Sequence, residues 1–422
     1  VVTNPVDLET ILKTCLEKDD LSRFLKNITG NGIIFAPVQI WRRRRKILLP
    51  AFNPKIIDQF FEVFSENSEK FVKKLANVTS KGKFSIWPYL SAYALDSVSE
   101  TTLGVQVNSQ KDSNSTFLTS LSAALELVAT RMFHLWLQPE WLFKFFPQYK
   151  IYKESLGILH NFTDEIIKKR RTELNKEKKN QTPSGDTHNE YNRKTFLDLL
   201  ISLSGCEKGY TNIELREEIL TLTIAATDTS AVATGNTLNL MAKYPKIQEK
   251  AYEELYEIFG NSKRAITKED LLKMKLLERI IKESLRLFPP APFISRKIET
   301  DLTLPSGRVL PAGSGVMISI WGCHRDPKYW GSNAEHFDPD RFLPERFNLK
   351  HACSFMPFSN GPRNCVGYQY ALMSMKTSLS TILRNYKVVG EPEKGPIPHI
   401  RVKLSVMMKD IDGYQVTLEK RH

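Results

Sequence analysis

The sequence predicts a mainly α fold with a minor β component (α+β), a helical bundle carrying small antiparallel sheets. Three observations predict it. Apolar residues recur at helical spacing over Ile56 to Leu75, Trp87 to Gly104, Thr116 to Thr130, Tyr152 to Leu174 and Leu271 to Leu287. The longest apolar segment, Thr211 to Lys243, is apolar on nearly every side between Ile219 and Ala233, which marks a buried helix. Short β-like stretches come late: Ile298 to Leu310 around a Ser306-Gly307 turn, Gly315 to Ile320, Lys403 to Met408 and Tyr414 to Leu418.

Composition narrows the class. The chain has 422 residues, 41% of them hydrophobic, as expected of a globular protein. Length alone allows two or three domains or one large helical domain. Five cysteines, odd in number and widely spaced, make no disulfide framework and point to a reducing compartment. No Cys-x-x-Cys or His-x-x-x-His cluster suggests zinc. The net charge of +13 favours acidic partners, such as an anionic membrane surface or an acidic protein. No nucleic-acid motif accompanies it, so no nucleic-acid partner is expected. No run of about 18 apolar residues is present, so the sequence carries no transmembrane helix. It opens at Val1 directly in an apolar-polar pattern, which suggests an N-terminally incomplete version of a longer protein. The Asn-x-Ser/Thr sequons at Asn27, Asn77, Asn114, Asn161 and Asn180 are of the kind that arises by chance.

In chain order, Pro5 to Lys26 reads as a short helical pair, and Asn31-Gly32 as a turn. Trp41-Arg42-Arg43-Arg44-Arg45-Lys46 is a solvated or membrane-facing basic cluster on the plain reading. On the sharper one, Trp41 and Arg45 lie four apart on one helix face and could offer an indole N–H and a guanidinium to one anionic group. Met132 to Phe146 is rich in aromatics: Phe133, Trp136, Trp141, Phe143, Phe145 and Phe146. Core packing is one explanation; lining a route for an apolar substrate, or dipping into a membrane surface, is the other. Asn175 to Asn192, with Pro183-Ser184-Gly185, reads as a flexible loop. The long helix then opens with a cap at Thr211 or Asn212. Within its apolar middle lies Asp228, costly unless paired or useful. Next to it, the Thr229 hydroxyl could bond back to the Ala225 carbonyl and open the helix locally. Glu283 and Arg286 lie three apart before Pro289-Pro290 and can pair.

The densest motif is Phe358-Ser-Asn-Gly361-Pro-Arg363-Asn-Cys365-Val-Gly367. Tyr368 to Leu383 reads as a helix, so Cys365 sits near its N-terminus, where the dipole and free N–H groups favour a thiolate. Gly361 and Gly367 permit unusual backbone and close approach to a flat object. Phe358 can pack over the sulfur, and Arg363 can reach an anionic group on the same object. This describes a loop holding a haem iron by one thiolate. The bland alternative is a buried structural cysteine in a Gly-rich turn.

The complete pattern Phe-x-x-Gly-x-Arg-x-Cys-x-Gly resembles the haem-binding loop of the cytochrome P-450 superfamily. Further motifs extend the resemblance over nearly the whole chain: Trp41-x-x-x-Arg45, Ala226-x-Asp228-Thr229, Glu283-x-x-Arg286, and Phe337-Asp-Pro-Asp-Arg341-Phe342. The basic cluster and the spacing resemble the microsomal family-4 clan, with an insect-like character. The resemblance implies one P-450 catalytic domain over 1–422, a helical bundle around a haem. It implies Cys365 as axial ligand of the iron, with Phe358, Gly361, Arg363 and Gly367 around the cofactor. Trp41, Arg45, Arg296 and Arg363 become propionate ligands. Asp228 and Thr229 become the proton-delivery pair, and Glu283, Arg286 and Arg341 a structural triad. His324-Arg325-Asp326-Pro327 is read as structural.

The implied cofactor is a non-covalent haem b, because Ala225 stands where many family-4 enzymes carry the Glu that is esterified to haem. Ala226 replaces the usual glycine, and Ser374 stands where an acidic residue often follows the loop. The implied activity is insertion of one oxygen atom of O2 into a C–H bond of a lipophilic substrate, whether fatty acid, lipid signal or xenobiotic. Electrons would come from NADPH through cytochrome P-450 reductase, with cytochrome b-five as a further partner. The expected setting is the cytosolic face of the endoplasmic reticulum membrane, as a monomer, with the anchor and first helix missing from this sequence. Two other classes share features. A haem-thiolate isomerase or peroxygenase would share the cysteine loop and typically lack Asp228-Thr229. A non-catalytic haem or lipid binder, or an inactive truncated relative, would lack reductase-dependent turnover.

Overall fold

The computed structural model describes residues 1–79, 82–112, 115–180, 195–204 and 209–421. It is mainly helical with four small sheets among the described residues. The chain divides into two compact units: Val1–Asp20, Ile57–Tyr93 and Asp228–His422 form the first, and Leu21–Ile56 with Ala94–Thr227 the second.

In the first unit, the helix Phe61–Leu75 buries Phe61, Phe64, Phe71, Val72 and Leu75 on one face. Phe64 meets Tyr370 edge to face at 4.9 Å, and Phe71 stacks on Tyr93 at 5.6 Å. Such ring pairs add to simple area burial. Tyr370 belongs to the helix Tyr368–Asn385, which Gly367 precedes as N-cap. The segment Leu271 to Leu287, expected as one helix, is two: Lys268–Lys273 and Lys275–Leu287, broken at Met274 (ψ 71°). The first is opened by a Thr267/Asp270 capping box. The second starts on the Glu254 carboxylate, which accepts the N–H groups of Leu276 (2.6 Å) and Leu277 (3.0 Å). The orphan donors of a helix start are thus satisfied from a neighbouring helix.

Among the described residues the pairs between strands are antiparallel, and Val2 adds an isolated parallel bridge to Ile318. Phe293–Lys297 pairs with Gly315–Ser319, Leu302–Thr303 with Val309–Leu310, and Val402–Ser405 with Met407–Asp410. Gln415–Lys420 lies between Phe84–Ser85 and Tyr386–Val389. The expected late β stretches are thus present, and three strands were not anticipated: Phe84–Ser85, Tyr386–Val389 and Phe293–Lys297. The strand Phe293–Lys297 and the helix Pro5–Thr14 contribute to a core of Leu8, Ile11, Leu12, Ile298, Val316, Ile318 and Cys323, with Ile294 packed against it.

In the second unit, the helix Pro147–Asn180 is longer than expected. The stretch 175–192 read as a loop is helical through Asn180; its remainder, with the Pro183-Ser184-Gly185 turn, lies outside the described residues, as does Asn114. Asp198 caps its own helix with Thr195 and takes a two-point ion pair from Arg170 at 2.6 and 3.0 Å.

The basic run lies on the helix Val38–Leu48 and is not uniformly solvated. Arg42, Arg43 and Lys46 are exposed, but Arg44 is buried with Trp41 and Leu48, at i, i+3 and i+7. Its guanidinium bonds Glu218 (3.0 Å) and Glu217 (3.0 Å), with Glu214 at 3.3 Å. Glu218 is fully buried and also accepts the Ile33 N–H. Burial pushes its carboxyl up to about 7, against the pull of Arg44.

The central helix Asn212–Lys243 is continuous, with residues 212–227 in the second unit and 228–243 in the first. Thr211 is its cap, exchanging bonds with Glu214 in a capping box (2.9 and 3.2 Å).

Candidate active site

The cysteine loop belongs to the first unit and is held by its own backbone. The Cys365 N–H donates to the Phe358 carbonyl (2.9 Å), Asn364 N–H to Gly361 (3.1 Å), and Ser359 N–H to Met356 (2.9 Å). Gly361 is left-handed (φ +74°), and a Cβ there would meet the Leu12 carbonyl oxygen at 2.5 Å. The loop therefore sits on the end of helix Pro5–Thr14 at a point where only glycine fits. Gly367, by contrast, has φ −96°, open to any residue. The Phe358 ring lies 6.3 Å from that of Tyr368.

Cys365 is exposed, whereas the other described cysteines, Cys15, Cys323 and Cys353, are buried. Burial pushes the Cys323 thiol up to about 12 and the Cys353 thiol up to about 11, so both stay protonated and inert. Among the described cysteines, only Cys365 offers an accessible sulfur at a helix start.

Cations gather beside this loop. Arg363 is buried and has the Glu17 carboxylate 3.9 Å away. Arg296, on strand Phe293–Lys297, is 1% exposed. Its Nη1 donates to the Ser295 carbonyl (2.8 Å), while its buried Nε has no protein partner. Burial pushes its guanidinium down to about 10. Lys18 joins them, a residue not singled out from sequence. Burial first, then the charges of Arg296 and Arg363, hold its ammonium well below the ordinary lysine range. Two buried guanidiniums, one with an orphan donor, beside a half-buried lysine are what an anionic group would satisfy. The loop carrying Lys18 is pinned to the same strand, since the Lys297 N–H donates to Glu17 O (2.9 Å) and Ser295 Oγ to Asp19 (3.1 Å).

Glu283, Arg286 and Arg341 come together. Arg286 grips Glu283 through Nε (2.7 Å) and Nη2 (2.8 Å), and Arg341 Nε lies 3.6 Å from Glu283. Arg286 also donates to the carbonyls of His324 (2.7 Å), Ala334 (2.6 Å) and His336 (3.1 Å). Arg341 holds the carbonyls of Trp330 (3.0 Å) and Asn333 (2.7 Å). His324 extends this network to the cysteine loop. Its Nδ1 faces the Arg286 carbonyl (3.2 Å), and its Nε2 accepts the Met356 N–H (2.9 Å). Burial, with Arg286 beside it, pushes the imidazole down to about 3, so it stays neutral.

On the central helix, every residue from Glu218 to Ala242 is buried except Ala225, Ala226 and Thr229. These three, at i, i+1 and i+4, form one half-buried stripe. Asp228 beside it is 5% exposed. Its Oδ1 accepts from Lys409 Nζ at 2.6 Å, and its Oδ2 has no partner. Burial pushes the Asp228 carboxyl up, and Lys409 pulls it back. This partner was not legible in the sequence, lying 181 positions away.

In the second unit, Trp41 is buried and Arg45 half-buried on one helix face, the guanidinium 5.8 Å from the indole centroid. The aromatic stretch is not core, apart from buried Phe143: Phe133, Leu135, Trp136, Trp141 and Phe145 are 59–81% exposed. They project from a turn held by buried Arg131, which donates to the carbonyls of Leu137 (3.0 Å) and Gln138 (3.1 Å) and lies 4.2 Å over Phe143.

The chain is similar to known proteins over nearly its whole length. The family model described as Cytochrome P450 matches residues 1–418. Cytochrome P450 4c3 of Drosophila melanogaster is 36% identical over 93% of this chain and 74% of its own length. Cytochrome P450 4c21 of Blattella germanica is 34% identical over 100% of this chain and 83% of its own. Human cytochrome P450 4V2 is 33% identical over 99% of this chain and 80% of its own.

Proposed function

Because the chain belongs to the cytochrome P450 family, within it to family 4, and is a haem monooxygenase, we propose that it hydroxylates a lipophilic molecule at a C–H bond. A fatty acid, lipid signal or xenobiotic is the substrate class, and NADPH supplies the electrons through a flavoprotein reductase. The residues present fit a haem. Cys365 offers the one accessible sulfur among the described cysteines, and buried Arg296 carries an Nε without a protein partner. Arg296 and Arg363 would hold its carboxylates and Cys365 its iron, with Gly361, Phe358 and Gly367 in the loop around the sulfur. With Ala225 in place of a glutamate, the group is held without an ester bond.

Bound haem supplies the oxygen-activating chemistry, which a thiolate ligand favours by donating electron density. The chain's own task is to bind, orient and deliver protons. The observation that carries the oxygenase reading is the half-buried stripe Ala225, Ala226 and Thr229 beside a buried acid, Asp228. In this reading Thr229 Oγ1 and Asp228 Oδ2 hold and pass protons to the oxygen side. Positioned proton transfer of this kind is worth about 10²–10⁴-fold. Thr229→Ala and Asp228→Asn should each divert NADPH electrons from product to peroxide. Peroxide and product yields measured per NADPH consumed test this, and full coupling in both variants would remove the proton-delivery role.

The working surface proposed is a membrane. No helix among the described residues is long and apolar enough to cross one. The exposed Phe133, Leu135, Trp136, Trp141 and Phe145 form an apolar patch suited to a lipid interface. The variant Trp136→Ser/Trp141→Ser/Phe145→Ser should bind phospholipid vesicles at least about tenfold more weakly at unchanged stability. Equal partition of variant and parent in vesicle sedimentation would count against the lipid reading. The net charge of +13 also suits an acidic electron donor, a reductase or cytochrome b-five.

A further inference from the structure

Three points fix the segment 409–414, the end of the strand Met407–Asp410 and the turn after it, along one face of the central helix. Lys409 meets Asp228, Tyr414 packs over Gly235, and Asp410 accepts from Asn239 Nδ2. Residues 228, 235 and 239 are at i, i+7 and i+11, a single stripe. A Cβ at Gly235 would meet the Tyr414 ring at 2.6 Å, so this segment lies against helix backbone there. Tyr414 in turn stacks on Trp87 at 5.3 Å. Lys409 Nζ lies 4.6 Å from the Trp87 ring centroid, so the ammonium sits between a π face and the carboxylate. Its side chain is 12% exposed and that of Asp228 6%. The pair is therefore placed by a docked element rather than by two free side chains.

We propose that Lys409 is a positioning residue for proton delivery: it grips Asp228 by Oδ1, keeps it ionised between turnovers, and leaves Oδ2 as the oxygen that takes up and releases the proton. This rests on the proton-delivery reading of Asp228 given above. The cycle balances without a further reactant. A solvent proton forms the Oδ2–H bond; that bond breaks when the proton passes to the Thr229 side, and the carboxylate returns to its pair with Lys409. Without Lys409, the upward push of burial on the Asp228 carboxyl would go unopposed, and the carboxyl would be free to rotate, since Lys409 is the one bond to Oδ1 among the described residues. The other titratable groups near Asp228 are Tyr414, whose hydroxyl burial holds far above its ordinary range, and Asp410 beside it. Lys409 is the one cation in direct contact with Asp228 among the described residues.

The test compares Lys409→Met, Lys409→Arg and Asp228→Asn in the haem-loaded enzyme with reductase. Lys409→Met should raise peroxide per product by about tenfold, and Lys409→Arg, which keeps the charge, should restore coupling to within about twofold. Asp228→Asn combined with Lys409→Met should be no worse than Asp228→Asn alone. A readout apart from turnover is the infrared carbonyl band of a protonated buried carboxyl in the resting protein. That band should appear at neutral pH in Lys409→Met and vanish when Asp228→Asn is added. Thermal midpoints of all variants show whether folding alone explains a change. If Asp228→Asn uncouples while Lys409→Met stays coupled and shows no band, the Lys409 role is overturned and that of Asp228 stands. If Asp228→Asn itself stays coupled, the underlying reading fails instead. An Arg variant as uncoupled as the Met variant also overturns the positioning role.

Discussion

Arg286→Ala is expected to leave almost no soluble, haem-loaded protein. Arg286 is 0% exposed and makes five hydrogen bonds, two to Glu283 and three to main-chain carbonyls. Alanine removes all five donors and leaves the Glu283 carboxylate fully buried, with Arg341 at 3.6 Å and the Asp338 N–H at 3.0 Å as its remaining partners. Breaking a buried pair from one side costs about 3–5 kcal/mol, against a total stability of about 5–15 kcal/mol for a folded protein. The three freed carbonyls add to the loss. Arg286→Lys should fare little better, because one ammonium cannot reproduce a planar fork bonding in several directions. Denaturant midpoints, with haem content per chain measured alongside, check this. A variant with wild-type midpoint and haem content would mean that the network does not hold the cysteine loop.

Cys365→Ser should give the opposite profile: an intact fold with the chemistry gone. The sulfur is exposed, and the Cys365 backbone bond to Phe358 does not involve the side chain. The stability change should therefore stay within about 0.5 kcal/mol. Serine cannot supply a thiolate, so the reduced carbon-monoxide form should lose its long-wavelength Soret band for a short-wavelength one, and product formation should fall to background. The two readings of this cysteine separate cleanly here. A structural thiol would lose stability on substitution and leave the spectrum alone. A variant that kept the long-wavelength band would end the axial-ligand assignment.

These effects were legible in the sequence to different degrees, for physical reasons. The cysteine loop and the Glu283–Arg286 pair are local, since their residues lie within a few positions and their spacing encodes their geometry. The main helices are legible for the same reason, because period and burial are properties of one segment. Long-range pairing is not. Phe84–Ser85 becomes a strand only because Gln415 and Val416 lie beside it. The break at Met274 is supported by Glu254, on another helix. Arg44 illustrates the limit most clearly. In a run of four arginines the sequence reading pairs Trp41 with Arg45 and does not mark Arg44, and the glutamates that make the burial of Arg44 tolerable lie at least 170 positions away. Lys409 carries no local mark as the partner of Asp228.

His324 imposes a rule on which residues its position could accept. One ring edge must give a proton to the Arg286 carbonyl while the other receives one from Met356, which opens the cysteine loop. The neutral imidazole satisfies both ends with one hydrogen and one lone pair. An arginine there would present donors to both sides and face the Met356 N–H with another proton. A leucine would offer neither and strand two buried main-chain groups. An asparagine amide carries one accepting oxygen and an NH2 with two N–H donors, so it has the right signs with one N–H to spare, on a shorter span. The position thus behaves as a two-terminal connector whose polarity matters more than its size, and a library of substitutions at 324 should sort by donor and acceptor count before it sorts by volume.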